Sequence, residues 1–484
     1  MRNGEFEKWI ESIKSCDLDI TGRSIPFKGG SAELLFVSQL TDRAQLSENV
    51  VKPLILECAS GKTRLTAQGA LDSVIYADSV KVETDRSRVV EFVLSGMTVL
   101  VFSTDSECFL VINLKKVEKR SIPTPQLSYT IRGAQDCFTE NLDSNLSLIR
   151  YRVKDPNLRI KFTEVGVRTK TRVAVLYIED IASNIAVDEI QRRIEGINVD
   201  GIGESGELQS FMLNNDKKLF PQMGLIERSD MAYHILMDGK VMVLVDGSGI
   251  GLYAPKVFSE YFYSGDDRYD NKIYGLFNRL LRYISIVIAL TASSAFVAIT
   301  SFHTEVLPSD YAIALAQMRS SVPFSAMIGA LILEFIMELL REALIRVPKQ
   351  IGPAIGIVGA IVIGQAAIAA GFFSPVLLTI AAISLLASFA IPDYSLVTPF
   401  RILKFMLIAI TGSLGFFGFT AFITLIIIEL VSLNSFGTPF MAPWAPFNLR
   451  ETEKTLINAS DNETHRPSYV HPKDEIRMKK KDEE

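Results

Sequence analysis

Five apolar runs dominate the second half of the chain: Leu280 to Thr300, Val322 to Leu340, Ile351 to Phe373, Pro375 to Ile391 and Phe405 to Leu430. A stretch of about 17 to 25 mostly apolar residues is what crosses ~30 Å of hydrocarbon as a helix. The rest of the sequence has the opposite character. Hydrophobic residues make up 48% and charged residues 22% of the 484, and mean hydropathy is +0.24, because most of the charge lies before Arg282 and after Arg450. The expected fold class is therefore an α/β soluble amino-terminal region followed by an all-α polytopic transmembrane domain. A formal charge of −5 argues against a nucleic-acid partner.

The soluble half reads as a weak internal repeat. Its first copy runs from Leu34-Leu-Phe-Val through a helical stretch near Val89 to Leu94, then Gly96 and the strand Met97 to Phe102. The second offers Val173 to Ile178, a helix near Ala232 to Met237, then Gly239 and Val241 to Val245. Each copy ends as a hairpin, with Ser103-Thr-Asp-Ser and Asp246-Gly-Ser-Gly as turns and Cys108-Phe-Leu-Val-Ile and Ile250-Gly-Leu-Tyr as return strands. Two similar α/β subdomains follow, residues 1–136 and 137–270, the latter opening with a linking helix around Phe138 to Arg152. A transmembrane domain at 271–446, with roughly four to six membrane segments, and a charged cytosolic tail at 447–484 complete the expected organisation.

The start, Met1-Arg-Asn-Gly-Glu-Phe-Glu-Lys-Trp-Ile, has no apolar run behind its positive charge and is not read as a secretory signal. Lys272, Arg279 and Arg282 flank the first apolar run and place that end on the cytoplasmic side. Five full spans would put the tail outside, yet the tail carries Lys479-Lys-Lys481. One segment is then expected to be re-entrant or interfacial, and Val322 to Leu340 is the suspect because it carries charge.

Those charges are the first candidates for chemistry. Glu334, Glu338 and Glu342 fall at i, i+4 and i+8, stacking three carboxylates on one helix face near Arg341. An ionised carboxylate at a helix centre in lipid costs about 2.5 to 3.5 kcal/mol, so this face must see water, a partner charge or a pore. Repeated around an oligomer it would form negative rings that favour cations; as an interfacial helix end it would pair with Arg341 and Arg346 and do nothing else. The run Ile351 to Gln365 is dense in small residues, with Gly352, Gly356, Gly359 and Gly364 letting helices approach closely, within or between subunits. Gln365 is a lone amide, either an interhelical hydrogen bond or a pore-facing group.

Other signals are set aside. Gly201-Ile-Gly-Glu-Ser-Gly206 matches GxGxxG but would set Glu204 and Glu207 against a pyrophosphate, and Gly61-Lys-Thr63 lacks the first glycine of a phosphate loop, Leu56 standing there. The cysteines (Cys16, Cys58, Cys108, Cys137) and histidines (His234, His303, His465, His471) show no metal-ligand spacing, so the cysteines read as reduced and structural. No serine or cysteine sits in a nucleophile elbow. Neither an enzyme nor a cofactor is expected.

A further set of motifs runs from about Arg132 to Pro446. In the soluble half it comprises Arg132-Gly133 with Phe138, Glu140, Asn145 and Leu148-Ile-Arg150, then Arg168-Thr-Lys-Thr-Arg172, Asn198-Val-Asp-Gly201, Pro221-Gln222 and Val245-Asp-Gly247. In the membrane half it comprises Phe302-His303, Glu338-Leu-Leu-Arg-Glu-Ala343, Ile363-Gly-Gln-Ala-Ala367, Ser374-Pro375, Ile391-Pro392 with Tyr394-Ser-Leu396, and Ser435-Phe-Gly437 with Pro439. On these residues the chain resembles the A subunit of the GerA-type nutrient germinant receptors of bacterial endospores. The chain departs from the family pattern at Ala134-Gln135, at Ser229 where proline is usual, and at Phe440 where tyrosine is common. The resemblance implies a subunit of a three-component complex in the inner membrane of the spore, beside a transporter-like B subunit and a lipoprotein C subunit. It also implies a homo-oligomeric ring, a pentamer among the candidate sizes, that acts as a nutrient-gated cation channel. The B subunit is then the holder of the nutrient, so the A subunit meets the germinant only indirectly. Two other classes compete: a secondary transporter, against which no repeat appears within Leu280 to Leu430, and a membrane-tethered scaffold, for which intramembrane glutamates would be an unnecessary expense.

Overall fold

A computed structural model of the chain describes residues 20–114 apart from 28, 39, 60–65 and 78, then 134–213, 218–268, 271–347, 364–457 and 465–477, with a few positions between 6 and 13. It divides into two compact units, one of residues 1–216, 223–255 and 463–484, the other of residues 217–222 and 256–462.

The first unit holds two sheets of five strands. Strands β1 (Ile20–Phe27), β2 (Gly30–Val37), β3 (Val80–Glu83), β4 (Thr98–Phe102) and β5 (Asp105–Ile112) assemble in the order β1-β2-β4-β5-β3. Strands β6 (Leu158–Val165), β7 (Thr171–Ile178), β8 (Gly224–Ile226), β9 (Val241–Val245) and β10 (Gly251–Ala254) assemble as β6-β7-β9-β10-β8. The two orders are the same, with every neighbouring pair antiparallel, so the repeat read from the sequence is a repeat of topology. Alternation explains the runs: Leu34, Leu100 and Leu110 enter one core cluster of the first sheet, while Leu35, Val99 and Val111 enter another. With both faces covered, every residue of β4 is buried, as is every residue of β9.

Each sheet is served by equivalent helices, α1 (Val89–Leu94) before β4 and α4 (Ser229–Met237) before β9, each followed by a glycine at positive φ, Gly96 and Gly239. Between the two sheets in chain order comes α2 (Leu142–Arg152), capped by Asn141, whose side chain accepts from Ser144 N at 2.9 Å. Its Leu142, Leu146 and Ile149 fill the core of the second sheet. The crossover from β7 to β8 carries α3 (Asn184–Glu195), after which the chain returns through helix Ser205–Leu213.

The second unit is helical: α5 (Lys272–Ser301), α6 (Ser309–Arg319), α7 (Ala326–Arg346), α8 (Pro375–Phe389), α9 (Tyr394–Ser432) and α10 (Leu449–Ile457). Ile273–Ser301 and Tyr394–Ser432 are long and apolar enough to cross a membrane. Their outward residues, Ile284, Val287, Phe417 and Leu425, are more than half exposed, an apolar surface that calls for lipid or a partner. Helix α9 is broken at Gly415, whose φ of 63° and ψ of −148° only glycine adopts readily. A Cβ there would meet Phe302 Cγ at 3.1 Å and His303 Nε2 at 3.2 Å.

Candidate functional site

Glutamates buried in an apolar helical unit need counter-charges, and α9 supplies them. Glu334 is 1% exposed; its Oε2 accepts from Lys404 Nζ at 2.6 Å and its Oε1 from Ser293 Oγ of α5 at 2.5 Å. One turn on, Glu338 accepts from Arg401 Nε at 2.7 Å and faces Arg341 Nη1 at 3.5 Å. Arg341 is buried, donates to Ser388 Oγ of α8 at 2.6 Å, and lies over the Phe389 ring at 5.1 Å. Arg401 also donates to Tyr394 Oη at 3.1 Å. Glu342, at the exposed end of α7, pairs with Arg346 at 2.7 Å. Two carboxylates thus sit among three cations, Lys404, Arg401 and Arg341, in a cluster tying α7 to α5, α8 and α9.

Arg341 and Arg346 stand beside the glutamates as the sequence spacing suggests, whereas Arg401 and Lys404 lie outside that expectation. The apolar run of the sequence begins at Phe405, but α9 begins at Tyr394 and carries both cations into the bundle. Two cations at i and i+3 heading a long apolar run are the signal that was there to use. Gln365 is exposed and takes no part in this cluster, and a Cβ on Gly364 would only touch Leu378 at 3.6 Å, ordinary contact with α8. Gly352, Gly356 and Gly359 lie outside the described residues, as do Arg132-Gly133 and Lys479 to Lys481.

At one end of the helical unit an aromatic collar forms around Phe258, whose ring lies 6.4 Å from Phe400, 6.0 Å from Phe440 and 5.9 Å from Trp444. The short hairpin β11 (Asn434–Ser435) and β12 (Thr438–Pro439) closes it. Ser435 Oγ accepts from Lys256 N at 3.0 Å and donates to the Gln222 carbonyl at 2.7 Å. The Lys256 ammonium pairs with Asp393, the N-cap of α9, and lies 3.9 Å from the Tyr261 ring centre. Pro221-Gln222 and Ser435-Phe-Gly437, distant in sequence, are therefore parts of one structural joint.

At the Gly415 break, His303 Nε2 accepts the freed Phe416 N–H at 3.4 Å and the two rings lie 5.0 Å apart. The dipeptide Phe302-His303 is thereby explained as the plug of a broken helix.

In the α/β unit the remaining motifs converge at one end of the second sheet. The hairpin turn between β6 and β7 meets the stretch before Gly201: Val167 N donates to the Val199 carbonyl at 2.9 Å and Arg168 N to the Asp200 carbonyl at 2.8 Å. A Cβ on Gly201 would lie 2.2 Å from Thr169 Cγ2, so only glycine permits that approach. Gly247 N donates to the Glu140 carbonyl at 2.8 Å. The Gly203 N–H, which a dinucleotide site would present to phosphate, donates to Glu207 Oε2 at 2.9 Å. Ser229 stands where the family pattern has proline: its N–H donates to the Asp136 carbonyl at 3.2 Å, its hydroxyl donates to the Asp136 carboxylate, and Arg152 Nε donates to it at 2.7 Å. Burial would raise the Asp136 pKa, but the hydrogen bonds from Arg152 and Ser229 outweigh it and hold the carboxyl below its ordinary value. Burial pushes the Cys137 thiol up to about 11, leaving it protonated at neutral pH. Among the described residues no group of three metal-ligating side chains occurs.

A duplicated α/β unit joined to apolar helices that enclose paired charges defines a two-part membrane protein. The family model described as Bacillus/Clostridium GerA spore germination protein matches residues 7–469; the chain belongs to this family. It is 33% identical to spore germination protein KA of Bacillus subtilis (strain 168) over 92% of this chain and 82% of that one. It is 34% identical to spore germination protein GerLA of Bacillus cereus over 97% and 96%. Among solved structures, the N-terminal domain of the A subunit of the Bacillus megaterium spore germinant receptor GerK3 aligns with 53% of this chain and 95% of that chain, at 21% identity and a TM-score of 0.40.

Proposed function

We propose that this chain is the A subunit of a nutrient-responsive spore germination receptor, and that copies of it assemble in the membrane into a gated cation channel. Its partners on this reading are a transporter-like B subunit, which takes the nutrient, and a lipoprotein C subunit, in the inner membrane of the spore. The observation that carries the channel reading is the cluster of Glu334 and Glu338 with Lys404, Arg401 and Arg341. Charge buried among apolar helices is expensive and marks ion or substrate pathways more often than anchors. With both carboxylates paired, the described arrangement suits a closed state. Opening to cations then requires α9 to shift so that Lys404 and Arg401 leave the α7 face. Nutrient binding can drive that shift only by favouring the shifted state energetically.

Residues 465–477 belong to the same compact unit as the two sheets, which supports placing the tail and the α/β region on one side of the membrane. An even number of crossings follows on this reading, and it reconciles the basic tail with the basic flank of α5. The α/β unit is then cytosolic under the positive-inside rule.

A membrane-tethered scaffold remains the second reading, favoured by the complete pairing of Glu334, which suits a static clasp between helices. Monovalent cation efflux from liposomes holding wild type, Glu334→Gln or Glu338→Gln separates the two. Flux in wild type that falls or loses cation preference in the variants supports the channel. A folded oligomer that is silent, or conducts identically in all three, leaves the scaffold.

A further inference from the structure

A cavity of about 250 Å³ opens at the end of α5 remote from its basic flank, walled by α6 and by the turns on either side of it. Its wall is mostly apolar, Leu315 and Phe324 among it, with the hydroxyls of Thr300, Thr304 and Ser320 and a single charged group, Arg319. Arg319 is half-buried and donates to the Thr300 carbonyl at 3.5 Å. Among the described residues no carboxylate pairs with it.

That sets Arg319 apart within the helical unit. Each other buried or half-buried cation described there faces a carboxylate: Lys256 with Asp393, Arg279 and Arg282 with Asp267, Arg341 and Arg401 with Glu338, Lys404 with Glu334, and Lys454 with Glu451. Burial without a counter-charge also lowers the Arg319 pKa from its ordinary value. A guanidinium offers five donors in a planar fork, and here one is spent on a long contact. The hydroxyls of Thr300 and Ser320 donate to the Phe296 and Gln317 carbonyls, which leaves their lone pairs as acceptors.

We propose that this cavity binds a small organic monoanion, its carboxylate held in the Arg319 fork and its short apolar body lying against Leu315 and Phe324. One fork matches one carboxylate in charge and in geometry, whereas a phosphate dianion asks for more than one cation. The volume falls below the ~300 Å³ at which pockets for drug-sized ligands begin, so the ligand is small. The assignment does not depend on the channel reading, since binding can be present whether or not the protein conducts.

Butyrate is a suitable probe. Its binding to the full-length protein in neutral detergent is measured by equilibrium dialysis, with butyramide as the uncharged competitor. We expect saturable binding that butyramide does not displace, and that weakens roughly tenfold or more in Arg319→Gln, the loss of a charged hydrogen-bonding partner. Arg319→Lys, which keeps the charge and loses the fork, falls between. Leu315→Trp fills the cavity without touching the charge and should abolish binding, an independent route if the arginine variant folds poorly. No saturable binding to wild type, or equal binding to wild type and Arg319→Gln, overturns the proposal. So does displacement of butyrate by phosphatidylglycerol but not by phosphatidylcholine, which would assign Arg319 to a net-anionic lipid headgroup.

Discussion

Lys404 Nζ stands 2.6 Å from Glu334 Oε2 in surroundings where both side chains are at least 95% buried. Removing one partner strands the other charge, at about 3 to 5 kcal/mol, whereas replacing both with apolar groups is often near neutral. Lys404→Met and Glu334→Leu should each lower stability by that order, and the double variant should recover most of the loss. Thermal unfolding in detergent across the four proteins checks the cycle. Additive losses would show that the two charges do not depend on each other.

Gly415→Ala places a side chain in a region of φ and ψ reserved for glycine, and its Cβ would press on Phe302. The strain is on the order of 1 to 3 kcal/mol. A lowered melting temperature is expected for this variant, against little change for Gly206→Ala, where a Cβ meets nothing within 4 Å.

Arg466 both folds the tail and fastens it: its Nη1 donates to the Asp474 and Ile476 carbonyls at 2.9 and 2.8 Å within the tail, and its Nε donates to the Met237 carbonyl at 2.9 Å. Lys473 adds hydrogen bonds to the Ile181 carbonyl at 2.9 Å and the Glu179 carbonyl at 2.7 Å, and Arg477 pairs with Asp238. Arg466→Ala should release this strap. Limited trypsin digestion followed by mass spectrometry should then show cleavage at Lys473 well before cleavage elsewhere in the α/β unit.

Asp136 has a folded pKa below its ordinary 3.8, so its pairing stabilises the protein fully at pH values well above 3.8. That contribution is lost as pH falls below 3.8 through the folded value. Asp136→Asn should lower stability at neutral pH and narrow the gap to wild type toward pH 3. Unfolding of the α/β unit, followed by intrinsic fluorescence as a function of pH, measures the difference.

The duplicated sheet was legible because strand alternation and turn residues are local signals. Val99-Leu-Val-Phe102 and Val241-Met-Val-Leu-Val245 announce central strands without reference to anything distant. The glutamate face of α7 was legible for the same reason, through its spacing of four. Its partners were not, because which face of α9 meets α7 is settled by packing among helices. Gly415 in an apolar run looks like any small packing residue until Phe302 and His303 are seen against it. The fastening of Arg466 to Met237 had no local sign at all: it joins residues 229 positions apart.

That separation has a consequence for how the molecule is made. Met237 ends α4 and Ile181 follows β7, both beside a sheet whose strands have all been synthesised before the first long apolar helix appears, yet their carbonyls wait for Arg466 and Lys473, which follow the last of those helices. Domains generally fold as units while the chain emerges. This one is completed only after its apolar helices have emerged, so the finished α/β unit carries a record that translation has run through to residues 466–477.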